Sequence, residues 1–65
     1  MVRIKEFRLK SKMTQSELGT EIGVNQNAIA QYESGKIMPR ADKLIKMSKL
    51  FGCTVDELLG VSDEK

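Results

Sequence analysis

Sixty-five residues with a net charge of +2, one cysteine and no histidine make one small domain at most. The lone Cys53 excludes an internal disulfide, and the composition offers no zinc site of the Cys/His type. No segment approaches the ~20 apolar residues that cross a bilayer, and no signal-peptide pattern precedes the first charges. We therefore expect a cytoplasmic protein without metal or cofactor, stabilised by packed helices.

Charge falls into four blocks of alternating sign along the chain. Residues 1–12 and 36–49 each carry +4, whereas residues 13–35 and 50–65 each carry −3. The simplest interpretation is that the basic blocks are solvated helix faces. The alternative is that they contact phosphate groups on either side of a recognition element. The segment between them contains no lysine or arginine, so any recognition there depends on shape and hydrogen bonding.

Apolar residues recur at intervals of three and four, which predicts helices throughout the chain. A first helix is expected at about residues 2–11. A second begins at Thr14, which forms a capping box with Glu17, and ends at Gly23, where a positive φ costs glycine nothing. Gly19 lowers the stability of this helix by ~1 kcal/mol relative to alanine.

Asn25 caps a third helix after a very short turn, and this helix ends at Ser34 and Gly35. Ile29 and Tyr32 face the core. The opposite side carries three amides and a methyl group, on Gln26, Asn27, Gln31 and Ala30. Amide side chains can hydrogen-bond an adenine edge bidentately in the major groove of DNA, and an alanine methyl can lie against that of thymine. Any one of them taken alone is more simply a polar or small residue on a solvent face.

A fourth helix is predicted over about residues 41–51 and stops at Gly52. Thr54 and Glu57 form a second capping box, which opens a short fifth helix. Cys53, just before it, is interpreted as a small buried hydrophobe rather than a redox sensor. Residues 61–65 are predicted to be a frayed polar tail.

Two capped helices joined by a glycine turn form the helix-turn-helix arrangement, in which the second helix lies in the major groove. The combination of motifs resembles the phage repressor and Cro-like (Xre) family over residues 1–60. The matching residues are Arg8, Thr14, Gln15, Glu17, Leu18, Ile22, Gly23, Val24, Ile29, Tyr32, Glu33, Gly35, Lys36, Pro39, Leu44 and residues 54–59. The resemblance implies an all-α, compact five-helix lambda-repressor-like domain, with the helix-turn-helix at helices 2 and 3.

The resemblance also implies roles for individual residues. Base-reading positions of the family are matched by Gln26, Asn27 and Gln31. Positions at or near the phosphate backbone are matched by Gln15, Ser34, Lys36 and Arg40. Arg8 and Glu33 match a structural ion pair that ties helix 1 to the end of helix 3. Two positions depart from the family pattern: Gly19 replaces the usual alanine, and Arg40 replaces a Ser or Asp cap, which favours its contact with phosphate.

The implied function is a sequence-specific, double-stranded DNA-binding transcriptional regulator, expected to be a repressor that docks helix 3 on a palindromic operator as a homodimer. Helix 5 and its surroundings, including Leu59 and Val61, are the predicted dimer contact, and the alternative is that the same residues close the core. The alternative is a protein-interaction or antitoxin-like module, suggested by the apolar loop residues Ile37 and Met38. An enzyme is not expected, because the chain lacks a nucleophile–base pair and room for a cleft. Neither a membrane nor a small-molecule ligand is expected as a partner.

Overall fold

The computed structural model describes residues 2–61, and it places five α-helices and no strand among them. The helices are α1 (Ile4–Lys10), α2 (Gln15–Ile22), α3 (Gln26–Ser34), α4 (Ala41–Phe51) and α5 (Val55–Leu59). The predicted all-α, five-helix fold class is confirmed. Of the predicted polar tail, residues 62–65 lie outside the described residues.

Local capping signals fix the helix starts. The hydroxyl of Thr14 accepts the backbone N–H of Glu17 at 3.0 Å, and the Glu17 carboxylate accepts the N–H of Thr14 at 2.8 Å. The side chain of Asn25 accepts the N–H of Ala28 at 2.8 Å and caps α3. Arg40 precedes α4 without a side-chain cap. Because a side-chain cap is worth ~1 kcal/mol, the start of α4 is held less firmly than those of α2 and α3.

Helix α1 is shorter than predicted, because the chain before it is tied to α5. The backbone N–H of Arg3 donates to the carbonyl of Leu58 at 2.8 Å. Arg3 therefore has a non-helical conformation and serves as the N-cap, and the helix begins at Ile4. This hydrogen bond joins the two ends of the domain.

All five helices contribute to one small core. Its eight buried hydrophobic residues are Ile4, Leu18, Ile22, Ile29, Tyr32, Leu44, Met47 and Leu58. Phe7 and Phe51 stack beside it with ring centroids 5.9 Å apart. Cys53 packs against the core but is only half buried, and burial followed by the charge of Glu57 raises the pKa of its thiol. Cys53 was expected to be a small buried hydrophobe; it packs against the core as expected, but it is less buried than expected.

The turn between α2 and α3 is built on Gly23. Its φ of +84° lies in the left-handed region, and its N–H donates to the carbonyl of Gly19 at 2.8 Å. The next N–H, of Val24, donates to the same carbonyl at 2.8 Å. α3 then begins at Gln26, so α2 and α3 are joined by a very short and well-bonded connection. The longest helix, α4, has 11 residues, and no helix in the described part of the chain is long and apolar enough for a membrane span.

Candidate nucleic-acid interface

One face of α3 carries the residues predicted to read bases. Gln26 and Asn27 are exposed in its first turn, and Ala30 and Gln31 are half buried one turn later. The opposite side of the helix is anchored in the core by the buried Ile29. At ~100° per residue the four predicted positions fall on a single side of the helix. The structure thus brings them together within residues 26–31 of α3, beginning at its capped N-terminus.

A buried ion pair joins α1 to the end of α3. The Nε atom of Arg8 donates to Oε2 of Glu33 at 2.6 Å, and Nη2 donates to Oε1 at 3.4 Å. The remaining Nη1 donates to the carbonyl of Met13 at 2.7 Å. The two side chains are only 9% and 6% exposed, so water screens this pair far less than a surface pair. The contact expected from the family resemblance is present, and it fixes the position of the Glu33 carboxylate.

The side chain of Gln15 connects this ion pair to the candidate reading face. Its Nε2 donates to Oε1 of Glu33 at 3.0 Å, and its Oε1 accepts a long hydrogen bond of 3.4 Å from Nε2 of Gln26. Sequence reasoning placed Gln15 at phosphate and missed both contacts. The partners lie 18 and 11 residues from Gln15 along the chain, beyond the reach of any helical period. The backbone N–H of Gln15 lies in the first turn of α2, where the helix dipole favours an anion.

The residues expected at the phosphate backbone lie at and after the end of α3. Ser34, Lys36 and Arg40 are all exposed, and the loop that carries two of them is anchored by the buried Pro39. The Ser34 hydroxyl donates to the carbonyl of Gln31 at 3.1 Å. The Lys36 N–H donates to the same carbonyl at 3.0 Å. The backbone of Lys36 is therefore held against the end of α3, and Arg40 precedes the first turn of α4. Both exposed cationic side chains can meet an anion.

Comparison with known proteins decides the family. A family model described as "Helix-turn-helix" matches residues 4–58, which is most of the chain. The chain belongs to this helix-turn-helix family. The predicted resemblance to the repressor-like members is confirmed, since the similar proteins include named phage repressors.

Two relatives from different sources are similar to this chain over most of its length. An uncharacterized HTH-type transcriptional regulator of Archaeoglobus fulgidus is 36% identical over 63 residues, which cover 97% of the chain and 90% of the relative. Repressor protein C2 of Salmonella phage P22 is 39% identical over 57 residues, which cover 88% of the chain and 26% of C2. The first relative is named as a transcriptional regulator and the second as a repressor.

The same relationship appears in three dimensions. A crystal structure of the P22 c2 repressor protein in complex with a synthetic operator is similar to this chain, with a TM-score of 0.84 and 37% sequence identity. The match covers 92% of this chain and 91% of the repressor chain in that structure. The predicted lambda-repressor-like architecture is confirmed.

Proposed function

We propose that this chain is a sequence-specific transcriptional repressor that places α3 in the major groove of double-stranded DNA. The observation that carries the proposal is the single face of α3 on which Gln26, Asn27, Ala30 and Gln31 lie. Each amide can pair bidentately with adenine, and a good pair of this kind is worth ~1–3 kcal/mol of discrimination between bases. The similar P22 c2 repressor, which was solved with an operator, supports the same docking.

The affinity for DNA comes mainly from groups beside that face. Lys36 and Arg40 are exposed cations in the loop after α3, and Ser34 adds a hydroxyl at the end of the helix. Lysine and arginine bind phosphate and release its counterions irrespective of sequence. The first backbone N–H groups of α2, beginning at Gln15, add an anion site. Residues 13–35, which are acidic and contain no lysine or arginine, then discriminate between DNA sequences. The basic residues in the flanking blocks, 1–12 and 36–49, attract the DNA phosphates.

A second copy of the chain is the proposed partner for an apolar groove between α1, α5 and the loop before α4. Val2, Leu9, Met38 and Leu59 line this groove. Leu9 and Met38 are 56% and 58% exposed, and Val61 just beyond α5 is 55% exposed. Exposed basic and acidic side chains both line the groove, at Lys5 and at Glu6, which pairs with Arg3 at 2.9 Å. A surface with both signs suits a two-fold interface, in which one patch meets itself. Two copies would then read the two halves of a palindrome ~34–36 Å apart.

Selection of bound sequences from random duplex DNA tests the function directly. We expect an enriched palindrome whose half-sites contain adenine at positions facing the α3 amides. Titration at several salt concentrations then separates specific from general affinity. Weak, equally salt-sensitive binding to every duplex, with no enriched palindrome, would contradict the proposal.

The alternative function, a protein-interaction module, has one observation in its favour. Ile37 and Met38 are 47% and 58% exposed in the loop between α3 and α4. Light scattering combined with a pull-down discriminates between the two functions. A stoichiometric partner bound through this loop, together with no affinity for any duplex, would favour the alternative over DNA binding.

A further inference from the structure

The amides of Gln15 and Gln26 form a chain of hydrogen bonds that starts at the Glu33 carboxylate. An ionised carboxylate only accepts hydrogen bonds, so the Gln15 atom 3.0 Å from Glu33 Oε1 has to be the donor Nε2. The other end of that amide, the acceptor Oε1, then points to Gln26. Because it faces an acceptor, Gln26 has to offer its own Nε2. The orientation of both amides therefore follows from donor and acceptor chemistry, starting from one carboxylate.

Without such a constraint an amide side chain has two orientations of almost identical shape. Exchanging its oxygen and nitrogen leaves the packing unchanged and alters only the hydrogen bonds. The Glu33 carboxylate is a firm starting point, because Arg8 binds both of its oxygens and the side chains are 9% and 6% exposed. The side chain of Gln15 thereby connects the buried ion pair to Gln26 in the exposed first turn of α3.

A fixed orientation of Gln26 has a consequence for recognition. Its Nε2 carries two hydrogens, one directed to Gln15, which leaves one for a base, and its Oε1 is free to accept. Adenine presents an acceptor, N7, beside a donor, N6–H, in the major groove. An amide of fixed orientation can place its Nε2 at N7 and its Oε1 at the N6–H group. The flipped amide would place an acceptor at N7 and a donor at N6–H, so that neither hydrogen bond forms.

We propose that Glu33 is a positioning residue that sets the base preference of Gln26 by orienting the amide of Gln15. This inference rests on the proposed function, since it concerns how the same face of α3 selects its bases. It adds to the stabilising role of the Arg8–Glu33 pair a second role, in which the carboxylate selects one of two amide orientations at the surface. Gln31, on the same face of α3, is the natural reference because Gln15 makes its two side-chain hydrogen bonds elsewhere, to Glu33 and Gln26.

Side-chain amide resonances of the free protein test the orientation without DNA. Gln15→Met removes the intermediate amide and leaves the Arg8–Glu33 pair intact, whereas Glu33→Gln removes the carboxylate that fixes the order. We expect both variants to shift the Nε2 proton and nitrogen resonances of Gln26 and to leave those of Gln31 in place. Unchanged Gln26 resonances in Gln15→Met would overturn the proposal. If Glu33→Gln does not fold, Glu33→Asp takes its place, because it keeps a charge beside Arg8 but shortens the side chain that meets Gln15. Gln26 resonances equal to those of the wild type in that variant would overturn the role of Glu33.

Binding to the selected duplex, and to duplexes changed at one base pair each, tests the effect on recognition. In Gln15→Met we expect discrimination at the base pair read by Gln26 to fall about tenfold, and discrimination at the pair read by Gln31 to stay unchanged. The double variant with Glu33→Gln should discriminate no worse than Gln15→Met, because both changes act through one contact. Equal losses at both base pairs, or no loss at the Gln26 pair, would overturn the positioning role. If the wild-type chain prefers no duplex, the proposed function fails, and the resonances still decide the orientation.

Discussion

A β-carbon added at Gly19 would lie 2.5 Å from the carbonyl oxygen of Val24, closer than real β-carbons approach a neighbouring atom. The turn between α2 and α3 therefore closes against the bare backbone of α2. Helix propensity alone makes glycine ~1 kcal/mol worse than alanine at this position. The backbone of this chain therefore leaves no room at Gly19 for the β-carbon of the alanine that the family resemblance indicates.

Replacing Gly19 by valine should destabilise the fold, because the new side chain meets backbone that has little room to move. We expect Gly19→Val to lower the free energy of unfolding by about 2 kcal/mol or more. Urea denaturation followed by circular dichroism measures the loss. Thr20→Val, a β-branched residue at the exposed neighbouring position, is the matched control and should stay within ~0.5 kcal/mol of the wild type. Equal losses in the two variants would contradict this account of the turn.

The buried pair of Arg8 and Glu33 makes a different prediction, since a single change leaves one charge without its partner. Arg8→Met should lower the free energy of unfolding by about 3 kcal/mol, and Arg8→Met combined with Glu33→Met should recover part of that loss. The exposed pair of Arg3 and Glu6, 2.9 Å apart, is the control, and Glu6→Gln should leave the urea midpoint unchanged. A double variant less stable than Arg8→Met would show that the stranded charge is not the cause.

Helix ends were predictable where the signal is local. The capping boxes at Thr14 and Thr54 each span four residues, and the structure has both. The start of α1 was not predictable in this way, because it depends on the hydrogen bond from Arg3 to Leu58 at the far end of the chain. A sequence read in short windows carries no information about such a contact, and the helix was therefore expected about two residues too early.

In the candidate site, too, the features set by local sequence were predictable and those set by contacts between helices were not. The common face of Gln26 and Gln31 follows from the helical period alone. The contacts of Gln15 with Glu33 and Gln26 depend on how α2 and α3 cross, and that crossing is set by the turn and the core. The face could therefore be predicted from the sequence, whereas the hydrogen bonds that orient its amides required the structure.

Substitutions at the proposed phosphate-contacting residues and at the proposed base-contacting residues should change different properties of DNA binding. Lys36→Ala should weaken binding to all duplexes about equally and reduce the salt slope by ~1, because one phosphate contact is lost. Gln26→Ala and Gln31→Ala should each relax preference at one base pair of the half-site and leave the salt slope nearly unchanged. Competition titrations at several salt concentrations measure both quantities. An unchanged selected site in Gln26→Ala would mean that the reading face is assigned to the wrong residues.

The proposed dimer face can be tested at an exposed residue, where a substitution spares the core. Val61→Asp places a charge on a side chain that is 55% exposed, next to the groove lined by Leu59. We expect it to raise the dimer dissociation constant about tenfold or more, because an apolar contact would have to bury an unpaired charge. Sedimentation equilibrium measures the change, and binding to a full palindrome should weaken while the preference within one half-site persists. Ile45→Asp, at a residue 47% exposed on α4, is the matched control and should dimerise as the wild type does. The opposite pattern, with Ile45→Asp monomeric and Val61→Asp dimeric, would move the interface to α4.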